Sequence, residues 1–85
     1  MEEDTPMFIQ IEEEYQEKRK SISDAYIVAL VMADSNLSIQ LMLNGDIDAA
    51  YAFSIKKKDE AWAIYYQSNL ILYTEYQSKL RKIGL

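Results

Sequence analysis

Glu12, Glu13, Glu14 and Glu17 form the densest set of groups in the chain that could do chemistry. Four carboxylates within two helical turns could hold a cation or imitate a nucleic-acid backbone. Di-iron carboxylate bundles, however, draw on Glu-x-x-His pairs. This chain has no His and no Cys, so neither that centre nor an ordinary zinc site can be built. Mimicry of a nucleic acid would want more than a net charge of −5. A solvated face in the N-terminal half of a helix, where negative charge is favoured, accounts for the cluster. Lys56-Lys57-Lys58 is the matching basic run. Without arginine or a Gly-rich loop it is a weak phosphate signal, and Asp59 and Glu60 follow it directly, as on an exposed helical turn. Catalysis needs an activated nucleophile or a tuned acid–base pair in a pocket. The residue types here predict no enzyme, no cofactor and no metal.

Trp62, Tyr65, Tyr66, Tyr73 and Tyr76 make an aromatic stripe. Stacked aromatics bind single-stranded nucleic acid when basic groups track the backbone beside them, but no Arg or Lys interleaves these five. The acidic balance also argues against nucleic acid and against an anionic membrane surface. Core packing or a protein interface remains, and Tyr and Trp suit both. Asn36-Leu37-Ser38 matches a glycosylation acceptor. The start Met-Glu-Glu-Asp is not a secretion signal, so the match is read as incidental and a cytoplasmic location is expected. The longest apolar run, Ala25–Ala33, has nine residues, short of the roughly 20 that span a bilayer, and no membrane association is expected.

The elements that carry these groups are marked by only two Gly and one Pro. Thr5-Pro6 reads as N-cap and first helical residue. Asn44-Gly45-Asp46 is the strongest turn, with Gly45 suited to a left-handed C-terminal position and Asp46 or Asp48 to capping the next helix. Gly84 follows Lys79, Arg81 and Lys82, which suit a helix C-terminus. Trp62, Tyr66, Asn69, Tyr73, Tyr76, Leu80 and Ile83 step alternately by four and three, a heptad seam containing one Asn. Buried there, Asn69 would fix register; otherwise it lies at a wet edge and Leu70 takes its place. Phe8, Ile11, Tyr15, Ile22, Tyr26 and Ala29 also keep helical spacing. The reading is a single all-α domain over residues 1–85, a hairpin with arms of about 6–44 and 47–83. Ser21-Ile22-Ser23-Asp24 has capping-box form, giving a three-helix alternative of 6–20, 22–44 and 47–83.

Folding at Gly45 sets residue i opposite 91 − i. Trp62 then faces Ala29, Tyr66 faces Ala25, Lys79 faces Glu12 and Lys57 faces Asp34. Large opposite small is what interdigitated helices need. The length and layout resemble those of secretion-needle subunits, but Asn44-Gly45-Asp46 stands where that family's proline-containing turn is expected, so the chain is not assigned to it.

A hairpin buries one stripe per helix. Residues 22–43 are apolar in every direction, and a helix of that kind is a buried one. The expectation is therefore self-association, two hairpins forming an antiparallel four-helix bundle. The interface would be drawn from Tyr26, Val28, Leu30, Val31, Leu37, Leu41, Trp62, Tyr66, Asn69, Tyr73 and Tyr76. The runner-up fold is a monomer in which residues 8–15 return over the central helix. Functionally, the first expectation is an interaction or assembly module, self-associating as a dimer, with a further protein target possible. The alternatives are a small acidic regulator or inhibitor acting on a protein, and a polymerising structural subunit.

Overall fold

In a computed structural model, which describes residues 4–43 and 45–84, the chain is an all-α hairpin. Helix α1 spans Asp4–Met42 and helix α2 spans Ile47–Lys82. Both arms have the predicted extent to within two residues. α1 does not break at Ser21: it continues as one helix of 39 residues. The run from Ala25 to Ala33 carries no Gly or Pro, so nothing there competes with the backbone ladder, and the capping-box residues stay in the helix. Thr5 and Pro6 lie in the first turn of α1, which begins at Asp4, two residues before the expected start. The three-helix alternative is therefore excluded.

Asp46 caps α2. Its backbone is extended (φ −65, ψ 110), and its side chain accepts from the Ala49 N–H at 3.1 Å. The end of α1 is closed by Leu43 N–H to Ile39 O at 3.0 Å and Gly45 N–H to Gln40 O at 3.3 Å. Gly84 takes a left-handed conformation, with φ 86. Asn44, the first residue of the expected turn, lies outside the described residues. At the far end, Ile83 and Gly84 donate to Leu80 O and Arg81 O, and Lys79, Arg81 and Lys82 occupy the last turn, where the helix dipole favours cations.

The seam between the helices follows the predicted register. Tyr15 stacks on Tyr76 and Tyr26 on Tyr65, and each pair sums to 91. The rotation of α2 differs from expectation. Its buried residues are Ala50, Ser54, Ala61 and Leu72, one position back from the Trp62–Tyr66–Tyr73 stripe. On α1 the buried residue is Ala33. Small side chains at the closest approach let the backbones come together, and the large aromatics splay to the side. The resulting core is thin: among the described residues no side chain is fully enclosed, and the only large buried one is Leu72, 6% exposed. The molecule is a rod, 65 × 16 × 7 Å across its Cα atoms, with a radius of gyration of 19.2 Å. A compact chain of this length would have about 12 Å.

Candidate interaction surface

The rotation of α2 puts the aromatic stripe on an open face. Trp62 is 53% exposed and Tyr66 60%, and Tyr73 and Leu70 are similarly open. Trp62 leans on Tyr26 with ring centroids 6.0 Å apart, and on Tyr65 and Tyr66 beside it. Ala25 and Ala29 line a groove of about 330 Å³ with Ala61, Tyr65 and Ser68 on the opposite side. Helical periodicity thus divides the rod into two broad faces flanking the seam. The aromatic face carries Trp62, Tyr66 and Tyr73, with a shallow groove past Arg19, Tyr66, Asn69 and Tyr73, and Tyr26 stands between the two faces, touching Trp62 and lining the first groove. The other carries Ile64, Phe53 and a row of charged groups that includes Lys18, Glu75 and Lys79.

Asn69 is half-buried, and its amide donates to Tyr65 O at 2.9 Å within its own helix. Leu70 does not replace it in the seam; it is exposed. Tyr26, Leu30, Leu37, Leu41 and Tyr76 are half-buried along the hairpin seam. Val28 and Val31 point away from α2 and are more than half exposed, as are Ile27, Met32 and Ile39. The hairpin therefore covers part of the apolar surface of residues 22–43 and leaves these side chains open.

The charged groups pair across the helices in the expected sense but at shifted partners. Lys79 meets Glu14 at 3.5 Å rather than Glu12, and Lys58 meets Asp34 at 2.6 Å in place of Lys57. Lys57 turns to Glu60 at 3.5 Å and lies over the Phe53 ring. Glu12 accepts a short hydrogen bond from the Tyr76 hydroxyl. That bond, with help from Gln16, holds the Glu12 carboxyl below its ordinary range; the same bond pushes the Tyr76 hydroxyl above its own. Arg19 sits over the Tyr15 ring, 5.7 Å from its centroid. Among the described residues no three acidic, His or Cys side chains converge to hold a metal ion. Within the carboxylate cluster, Glu12 accepts from Tyr76 and Gln16, and Glu14 is engaged by Gln10 and Lys79.

One helix of the described residues, α1, is long and apolar enough to cross a membrane: an 18-residue window has a mean hydropathy of 1.4 and is 6% buried. The count of consecutive apolar residues missed this because Asp24 and Asp34 interrupt the run without much lowering its mean. Comparison with known proteins gives no match to a family, to a characterised sequence or to a solved structure.

Proposed function

We propose that the chain is a non-enzymatic assembly module whose hairpin packs against further copies of itself. The observation that carries the reading is surface area. A compact monomer of this mass exposes about 5,200 Å², whereas the hairpin exposes 6711 Å². The excess is about 1,500 Å² per chain, or about 3,000 Å² for a pair, inside the range of roughly 2,000–5,000 Å² for obligate homodimers. If half of that excess is apolar, its burial is worth roughly 20 kcal/mol per chain at about 25 cal/mol per Å². Association costs about 4–15 kcal/mol, so the burial outweighs it. Exposed Trp62, Tyr66 and Tyr73 are residue types enriched in binding hot spots.

Sedimentation equilibrium tests this directly. A dimer or larger species is expected from about 1 to 100 µM, weakened by Val28→Glu or Leu30→Glu. A folded monomer throughout that range, with both variants equally folded, rejects the reading.

The hydropathy of α1 favours a second reading, insertion into a bilayer. Insertion of α1 alone would part the Tyr15–Tyr76 and Tyr26–Tyr65 stacks, and α2 could not follow, since it carries Lys56, Lys57, Lys58, Asp59 and Glu60 in one run. Flotation with phosphatidylcholine vesicles separates the two readings: the assembly module stays with the soluble fraction.

A further inference from the structure

The outer side of α1 carries little charge over its second half. Counted from buried Ala33 at about 100° per residue, Ile27, Val28, Val31, Met32, Ile39 and Met42 fall within one arc of about 140° that faces away from α2. Each of the six is more than half exposed. Asp24 stands at the start of this strip, which runs about 27 Å along the helix to Met42. Between those two residues its polar groups are Ser35 and Ser38, whose hydroxyls can be satisfied on carbonyls of their own helix. Asp34, the one charged residue from 25 to 43, lies to the side of the arc, where it meets Lys58. The matching arc of α2, counted from buried Leu72, carries Lys56, Asp59, Glu60 and Arg81.

We propose that a second copy of the chain docks on this outer face of α1, so that α1 packs on α1 around a two-fold axis. This rests on the self-association reading above and names the surface it uses. Area supports a second copy. With roughly 100 Å² open on each of six side chains of this size, the strip offers about 600 Å² per copy. Leu43, 71% exposed, and Trp62, which leans on Tyr26 beside Ile27, extend its edges towards the roughly 800 Å² per partner of a stable interface. Charge agrees. The cores of protein contacts are depleted of charged groups. The strip holds none between Asp24 and Met42, whereas stacking on the outer arc of α2 would desolvate the four named above. A helix about 10–12 Å across covers the strip and leaves the Asp34–Lys58 pair in water beside it. A bilayer deep enough to cover the same side chains takes in that pair as well, at a cost.

The strip carries its own reporter. Met32, 66% exposed, lies within it, and Met7, 51% exposed, lies about 37 Å away along the same helix. Thioether oxidation follows exposure. Hydrogen peroxide acting on the full chain, read by mass spectrometry, is expected to oxidise Met32 at least about fivefold more slowly where sedimentation shows the dimer than where it shows the monomer, with Met7 unchanged. In parallel, Val31→Asp is expected to weaken association at least about 30-fold. Ala63→Asp, exposed in the middle of the outer arc of α2, is expected to leave it within about threefold. Circular dichroism of both variants checks that the helices persist, and the Met32 comparison needs no variant. A dimer in which Met32 reacts as in the monomer, in which Met7 is equally protected, or which Val31→Asp leaves intact overturns the choice of face and leaves self-association standing. A monomer at every concentration overturns both, whether Met32 then stays open or is protected by phosphatidylcholine vesicles.

Discussion

Leu72→Ala and Trp62→Ala together test the seam. Leu72 is the one large side chain that the hairpin buries among the described residues, and its truncation is expected to cost about 3 kcal/mol per chain. A chain of this size has an unfolding entropy near its midpoint of about 0.18 kcal/mol/K, at roughly 2.1 cal/mol/K per residue. Leu72→Ala should therefore lower Tm by about 15 °C. Trp62 is half open in the hairpin, so within one copy its loss removes only contacts with Tyr26, Tyr65 and Tyr66. Under the proposed self-association, its larger cost comes when copies pair. The assay is thermal unfolding followed by circular dichroism at several concentrations. For a folded dimer that unfolds to two chains, a tenfold rise in concentration adds about 1.4 kcal/mol per dimer. Divided by twice the entropy of one chain, that raises Tm by about 4 °C. Wild type and Leu72→Ala should both show this slope, displaced from one another, and Trp62→Ala should flatten it. A Leu72→Ala shift below about 5 °C, or a slope of zero in wild type, refutes the reasoning. The first places the seam on another stripe of α2, and the second leaves the hairpin stable without company.

Asp46→Ala removes the acceptor for the Ala49 N–H and is expected to cost about 1 kcal/mol, near 5 °C in Tm, while Asp46→Asn keeps the cap and stays close to wild type. Lys58→Met breaks the ion pair with Asp34, but both groups are substantially solvated, so denaturant unfolding should change by under about 1 kcal/mol. The Tyr76–Glu12 bond lowers the carboxyl and raises the hydroxyl, so its stabilisation is complete between about pH 4.5 and pH 10. It is lost as pH falls through the depressed Glu12 value and, separately, as pH rises through the elevated Tyr76 value. In Tyr76→Phe, NMR titration should return the Glu12 carboxyl towards its ordinary range; an unchanged Glu12 titration would contradict the bond.

Much of the fold was legible because little in the sequence competes with helix. A lone strong turn signal at Gly45 divides the chain, and one turn between two uninterrupted arms leaves a single register, which the Tyr15–Tyr76 and Tyr26–Tyr65 stacks obey. The phase of α2 was not legible. Trp62, Tyr66 and Tyr73 form one stripe, and Ala61, Tyr65 and Leu72 form another one residue away. Hydrophobic bulk favours the first. Close backbone approach selects the second, because Ala and Ser fit where the axes are nearest. The capping box at Ser21 misled for a related reason: a local hydrogen-bonding option counts for little when the residues on both sides are packed along an unbroken partner helix. The aromatic face itself was visible as a list of residues, but its being open rather than internal depended on that rotation.

The unbroken course of α1 has a mechanical consequence. Thirty-nine residues at 1.5 Å each extend nearly 60 Å without a Gly or Pro beyond the first turn, and α2 returns the whole way. Both strands of the polypeptide thus leave from one pole, while the Asp46 tip stands at the other. Anything tethered near residue 4 and anything tethered near residue 84 are held side by side, and a body gripping the tip is kept a set interval away. The interval changes by about 1.5 Å for every pair of residues added to or removed from its two arms.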